Sequence, residues 1–437
     1  MAHDAVGLEV SGADAAAVDA VDHFRVQLLR MGPDAGDVIA AADANPEVVL
    51  LQAYAATFFL YGQTNATQTP AETYLARARL QSRSCHPREE LFLRATEAWA
   101  RGDHEAALDD LEALCRRWPR DLVAAKIAEF HYYCAGQWWT AKRFLRLVEE
   151  IAAQNAAEAD FLAMRSFAHE LGGDRDAALL FADAALALAP ATPWAHHSLA
   201  HVYLLGGDVE TGIRRLSGER PVWRRFNRSI HAHNAWHLAL LYLEQLDIDG
   251  VLQIHREDIW GHTPDLIGEQ VDAIALLWRL DLADRPYDDD WKDIAAHVMQ
   301  YANECFIPFL NVHFVYALAR AGEEQALAAG LASARDFAAR QQGERSRAWA
   351  STGLPLLEGC AALARGDAAA CARILAPILA EVGRVGGSDA QDAVFLETYF
   401  VALLRSGQRS EARSYLDTLR GARLHSSALT EHWRTLC

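Results

Sequence analysis

GDHEAALDDLEALCRRWPRDLVAAKIAEFHYYCAGQWWTA, residues 102–141, contains the same turn signal twice. The first copy reads Gly102-Asp-His-Glu-Ala106 and the second Gly136-Gln-Trp-Trp-Thr-Ala141. Two more follow, Gly173-Asp-Arg-Asp-Ala177 and Gly207-Asp-Val-Glu-Thr211, so the glycines fall 34, 37 and 34 residues apart. A period near 34 is that of a helix–turn–helix repeat. Glycine ends the first helix in a left-handed cap, and a small residue one turn later lets the second helix approach closely. Pro119 and Pro190 punctuate the ends of second helices. The signal returns near the C-terminus as Gly366-Asp-Ala-Ala-Ala370 and Gly407-Gln-Arg-Ser-Glu-Ala412.

Composition agrees with helices. Alanine, the best helix former, runs through AALALA (184–189) and AGLASARDFAAR (329–340), and β-branched runs are scarce. No strong strand signal, low-complexity segment or linker stands out. The expected fold is all-α, a tetratricopeptide-like right-handed superhelix of antiparallel helix pairs. One continuous domain is expected over 1–437, with an elaborated region at about 190–320. The period blurs between about 215 and 350. There PVWRRFNRSIHAHNAW (221–236), HREDIWGHTPDLIGEQ (255–270) and ADRPYDDDWKD (283–293) read as inserted loops.

A net charge of −18, from 59 acidic and 41 basic residues, argues against nucleic acid and anionic membranes as partners. The seven cysteines (85, 115, 134, 305, 360, 371 and 437) form no C-x-x-C pair, which suits free thiols in a reducing compartment. The first twenty residues lack the basic and apolar regions of a signal peptide. No apolar run approaches the roughly 20 residues of a membrane span. The expected location is the cytoplasm.

Six of the 18 histidines lie between positions 196 and 237. Four of them form two i,i+4 couples, His197–His201 in HSLAH and His233–His237 in HNAWH. Residues four apart share one helix face, so each couple can close on one ion. Thr192 and Pro193 read as the start of the first couple's helix. His196 and His231 fall off the two stripes. Both couples belong to first helices of successive repeats, which line the inner surface of such a superhelix. His313, which also opens a helix, is a fifth candidate. Asp272 is a candidate ligand, or the group that orients a ligand histidine. Trp236 and Trp278 are candidate pocket walls.

An imidazole-rich site suits one divalent transition metal: Fe, Co or Zn. The couples lack the glutamate of H-E-x-x-H, against a metalloprotease. No cysteine-rich closed site appears, which favours a catalytic over a structural ion. Scattered histidines such as His255, Trp138-Trp139 and the run Asp288-Asp289-Asp290 read as packing or solvated surface. No G-x-S-x-G, phosphate-binding loop or dinucleotide fingerprint is present.

Three segments resemble the StaR-like family of tetratricopeptide-repeat-type proteins, the tetratricopeptide repeat protein 38 family. They are Trp194-Ala-His-His-Ser-Leu-Ala-His201-Val, His233-Asn-Ala-Trp-His237 and Asp272-Ala-Ile-Ala-Leu-Leu-Trp-Arg279-Leu. Phe309-Leu-Asn-Val-His313 is a fourth, looser match. The resemblance spans nearly the whole chain. It implies roles for His197, His201, His233, His237 and His313 at the metal. It also marks Asn234, Trp236, Asp272 and Arg279; Asn234 and Asp272 are the candidate catalytic residues, and Trp236 and Arg279, with Trp278, the candidate substrate pocket. The sequence departs from the family pattern at Asn311, where the family has Asp, and at His255-Arg256, where it has Tyr-Asp.

The expected function is a metal-dependent enzyme acting on a small organic molecule, by oxidative tailoring of a natural product such as hydroxylation or oxidative demethylation. A metal-assisted hydrolase and a non-catalytic interaction scaffold are the alternatives. The candidate first helices (EFHYYCAGQW, WAHHSLAHVY, HNAWHLALLY) carry few of the Lys and Arg residues that clamp acidic peptide ends, which favours an enzyme over the scaffold.

Overall fold

The computed structural model describes residues 2–422 and 425–437. The chain is all-α: helix follows helix from Ala15 to Leu436, and the strands among the described residues are the two-residue antiparallel pair Ala2–His3 and Glu9–Val10. No helix among the described residues is long and apolar enough to cross a membrane.

The recurring glycine signal has a definite backbone basis. Gly102, Gly136, Gly173, Gly207, Gly366 and Gly407 all take a left-handed conformation, with φ between 69° and 89°. At four of these turns the next residue is an aspartate. Asp103, Asp174, Asp208 and Asp367 each accept the backbone N–H of the residue three positions on. Each therefore caps the incoming helix, an interaction of about 1 kcal/mol. The outgoing helix is closed by the Schellman bond. The N–H groups of Asp103 and Asp174 reach the carbonyls of Ala98 and His169 at 2.9 Å, and that of Asp367 reaches Ala362 at 2.8 Å. Glycine thus reverses the chain and aspartate starts it again.

The same turn continues through the blurred middle without its usual residue. Leu246 and Asp284 occupy the left-handed position with φ 56° and 58°. The Schellman bonds remain, Asp247 N–H to Tyr242 O at 3.0 Å and Arg285 N–H to Leu280 O at 2.8 Å. Gly322, with φ 77°, forms another through Glu323 and Leu318 at 2.9 Å. The expected insertions are mostly helix. Residues 221–236 hold the end of the short helix Arg220–Trp223 and the start of Arg228–Glu244. Residues 255–270 begin with a wide π-type turn at His255–Ile259 and run into Ile267–Leu282, while Asp288 opens the helix Asp288–Val298.

By its contacts the chain divides into two compact units, one of residues 1–135, 140–198 and 222–230, the other of residues 136–139, 199–221 and 231–437. The core of the first unit includes Phe24, Tyr54 and Phe92, with Tyr54 ring centroids 4.7 and 5.1 Å from the two phenylalanines. A buried Arg88–Asp121 pair at 2.6 Å braces it, and Arg88 also donates to the Glu9 carbonyl at 2.7 Å, tying the strand pair to the helix Pro87–Ala100. In the second unit Trp278 stacks on Tyr316, 3.9 Å between centroids and 13° between planes. Helix Ile267–Leu282 packs there against Pro308–Ala321 and Asp389–Arg405.

Candidate metal centre

The helix Pro193–Gly206 starts at Pro193, as the residues predict, and passes from the first unit into the second between Ser198 and Leu199. His197 and His201 sit one turn apart on it, 2 % and 0 % exposed. His197 lies flat on Trp194, with centroids 4.2 Å apart and 14° between planes. Trp194 is itself held by a 2.9 Å hydrogen bond to Glu129 and by the Lys126 ammonium 3.6 Å from its ring centroid. The neighbouring His196 points elsewhere and accepts the Trp223 indole N–H at 3.2 Å.

Within the second unit, helix Arg228–Glu244 brings His237 to His201, with ring centroids 4.5 Å apart. A ring nitrogen of His237 lies within 4.8 Å of one of His201, and His197 precedes His201 by four residues on the same helix. Two nitrogens on one tetrahedral ion are about 3.4 Å apart, so closure on an ion needs the two rings to approach each other by at most about 1.4 Å. The donor set fits a transition metal: neutral imidazoles, buried, and supplied by helices rather than loops.

His233, the other half of the second couple, packs edge-on against His237 at 4.7 Å. Its Nδ1 is 2.9 Å from the Asp272 carboxylate, so Asp272 holds a histidine ring and fixes its orientation. Trp236 stacks on His233 at 5.3 Å and contacts His237 at 4.6 Å. Asn234 is buried beside them on the same helix. His231 pairs instead with Asp258 at 2.9 Å.

Among the described residues His313 is in no group of candidate ligands with His201 and His237. His313 is fully buried, contacts the Phe309 carbonyl through Nδ1 at 2.7 Å, and packs on Trp278 and Phe395. Burial, with a contribution from the Arg279 charge, pushes its pKa down to about 4. Trp278 is a core residue. Arg279 is buried against Glu397 at 3.6 Å, lies over Trp236 at 5.3 Å, and donates to the Ala390 carbonyl at 2.7 Å. That last bond ties it to the first turn of helix Asp389–Arg405.

This turn carries a group that the sequence pattern did not single out. Asp389 Oδ1 is 3.2 Å from His201 Nδ1. The local signal is Gly386-Gly387-Ser388-Asp389, in which both glycines have left-handed φ and Ser388 caps the helix. It reads as a helix start. Nothing in its spacing relates it to a histidine nearly two hundred positions earlier.

No protein-family model matches the chain.

Proposed function

We propose that this chain is a metal-dependent enzyme acting on a small organic molecule, with one divalent ion, Fe, Co or Zn, held at His201 and His237, His197 standing one turn before His201 on the same helix. The observation that carries this reading is the meeting of His201 with His237, centroids 4.5 Å apart, next to His197 on the same helix. Clustered imidazoles supplied by helices are common transition-metal ligands. His233, held by Asp272, stands beside the ligands, and Trp236 and Asn234 form the adjoining wall. A bound ion supplies redox or Lewis-acid chemistry. The protein residues orient a substrate against Trp236 and keep water out. Resemblance to the StaR-like tetratricopeptide-type family supports small-molecule chemistry, and within it oxidative tailoring of a natural product is the preferred reaction, with metal-assisted hydrolysis the alternative.

A second reading draws on the depth of the site. His201 and His237 are both fully buried, as in an ion that braces a helical interaction scaffold. The test is an azide titration of Co(II)-loaded protein, followed by visible absorption. An enzyme site with an open coordination position shifts its spectrum on adding azide. An unchanged spectrum, with a large loss of stability on chelation, replaces the enzyme with the braced scaffold.

A further inference from the structure

Imidazoles are neutral ligands, so a site built only from them leaves the full charge of a divalent ion in a buried setting. Such charges are costly unless they are paired. We infer that Asp389 is itself a ligand of an ion at His201, an inference that rests on the metal-site reading above.

Three observations support it. The first is distance. Ligand atoms bound at about 2.1 Å to one ion lie about 3.0 Å apart at right angles and about 3.4 Å apart in a tetrahedron. Asp389 Oδ1 and His201 Nδ1 are 3.2 Å apart, within that interval.

The second is charge. The Asp389 side chain is only 19 % exposed, and among the described residues its one possible cationic partner is His201. Its other contact is the backbone N–H of Ala390 at 2.8 Å. An ion between the carboxylate and the ring would pair with the Asp389 charge, and the carboxylate in turn would lower the net charge of the site.

The third is placement. The loop leading to Asp389 is fixed at several points. Gln137 N–H donates to the Gly387 carbonyl at 2.9 Å, and Phe309 N–H to the Val385 carbonyl at 3.0 Å. Arg279 grips the Ala390 carbonyl from the other side at 2.7 Å. At Gly387 the chain passes so near Phe309 that an added Cβ would stand 2.7 Å from its ring. Ligands need this kind of restrained backbone to hold their geometry. Arg279 and the second-unit segment at 385–388 therefore act as positioning elements for Asp389.

The test uses full-length, tag-free protein and Co(II) alone as the probe, with affinity and visible absorption as readouts. Asp389→Asn keeps the shape of the side chain and its capacity to accept a hydrogen bond, but removes the anionic ligand; Asp389→Ala removes both. Circular dichroism checks the fold of each. Loss of a partner that only orients a ligand weakens binding about 10–100-fold. The inference expects both variants to exceed that loss and to show altered Co(II) absorption bands. An unchanged spectrum in Asp389→Asn overturns it, because the carboxylate then serves only as an acceptor for His201. Wild-type protein that takes up no Co(II) overturns the metal-site reading as well. Binding that is lost in His237→Ala yet unaffected in both Asp389 variants overturns this inference alone.

Discussion

Gly136→Ala should be among the most damaging single-methyl additions in the chain, and the structure allows its size to be worked out. Gly136 has φ 89°, a conformation that costs an L-residue about 1–2 kcal/mol. An added Cβ would also stand 1.7 Å from the Gly383 carbonyl oxygen, a backbone atom. Relief requires the 383–387 segment to move, and overpacking of this kind costs about 1–3 kcal/mol more. The expected loss is roughly 2–5 kcal/mol. Gly173 supplies the control. It has the same kind of turn with φ 86°, but nothing lies within 4 Å of its added Cβ. Gly173→Ala should cost only the conformational part, about 1–2 kcal/mol. Urea unfolding followed by circular dichroism compares the two. The damage at Gly136 should also reach function, because the segment it would displace leads into Asp389. Co(II) affinity should fall in Gly136→Ala and hold in Gly173→Ala. Equal shifts in unfolding midpoint for the two variants would refute the close-approach argument.

Burial pushes the pKa of His255 down from 6.5 to about 4. Its folded form prefers the neutral ring, so its contribution is complete above pH 6.5 and is lost as pH falls through 4. That loss is about 3 kcal/mol, and acid unfolding of His255→Phe should show a shallower dependence across this window. Glu244 shows the opposite sign: burial, with the neighbouring Glu397 charge, raises its pKa from 4.5 to about 7. Its contribution is complete below pH 4.5 and is lost as pH rises through 7, so Glu244→Gln should stabilise the protein by about 1–3 kcal/mol at pH 8 and by little at pH 5, as urea midpoints would show. Arg279→Ala leaves Glu397 buried without its cation and the Ala390 carbonyl without its donor, so urea unfolding should record a loss of about 3–5 kcal/mol.

The helical class was legible because glycine and aspartate mark its turns. Glycine is the residue that most readily adopts the left-handed cap, and aspartate is among the best caps for the helix that follows. The pattern faded in the middle, where Leu246 and Asp284 take that conformation in place of glycine. A scan for glycine cannot find them, so the period blurs there, and residues 283–293 read as a loop, while 221–236 reads as an insertion because it is longer than an inter-repeat turn. At the site, the i,i+4 rule puts His197 and His201 one turn apart on one helix, and Asp272, read as a ligand or as the group that orients one, lies 2.9 Å from His233 Nδ1. The same rule could not decide which member of the second couple faces His201, because this depends on the rotation of one helix against another. His237 does, while His233 turns to Asp272. Asp389 was hidden for a simpler reason. It meets His201 only through the tertiary fold, and locally it is one more acidic residue at a helix start.

Elemental analysis of protein purified without a histidine tag or chelator tests the central claim most directly. About one transition-metal ion per chain should co-purify, as expected for a single site of this donor type. The double variant His201→Ala/His237→Ala should lose it while the helical circular dichroism persists, and His313→Ala should keep it. Wild-type protein without metal, or a folded double variant that retains a full equivalent, would contradict the account.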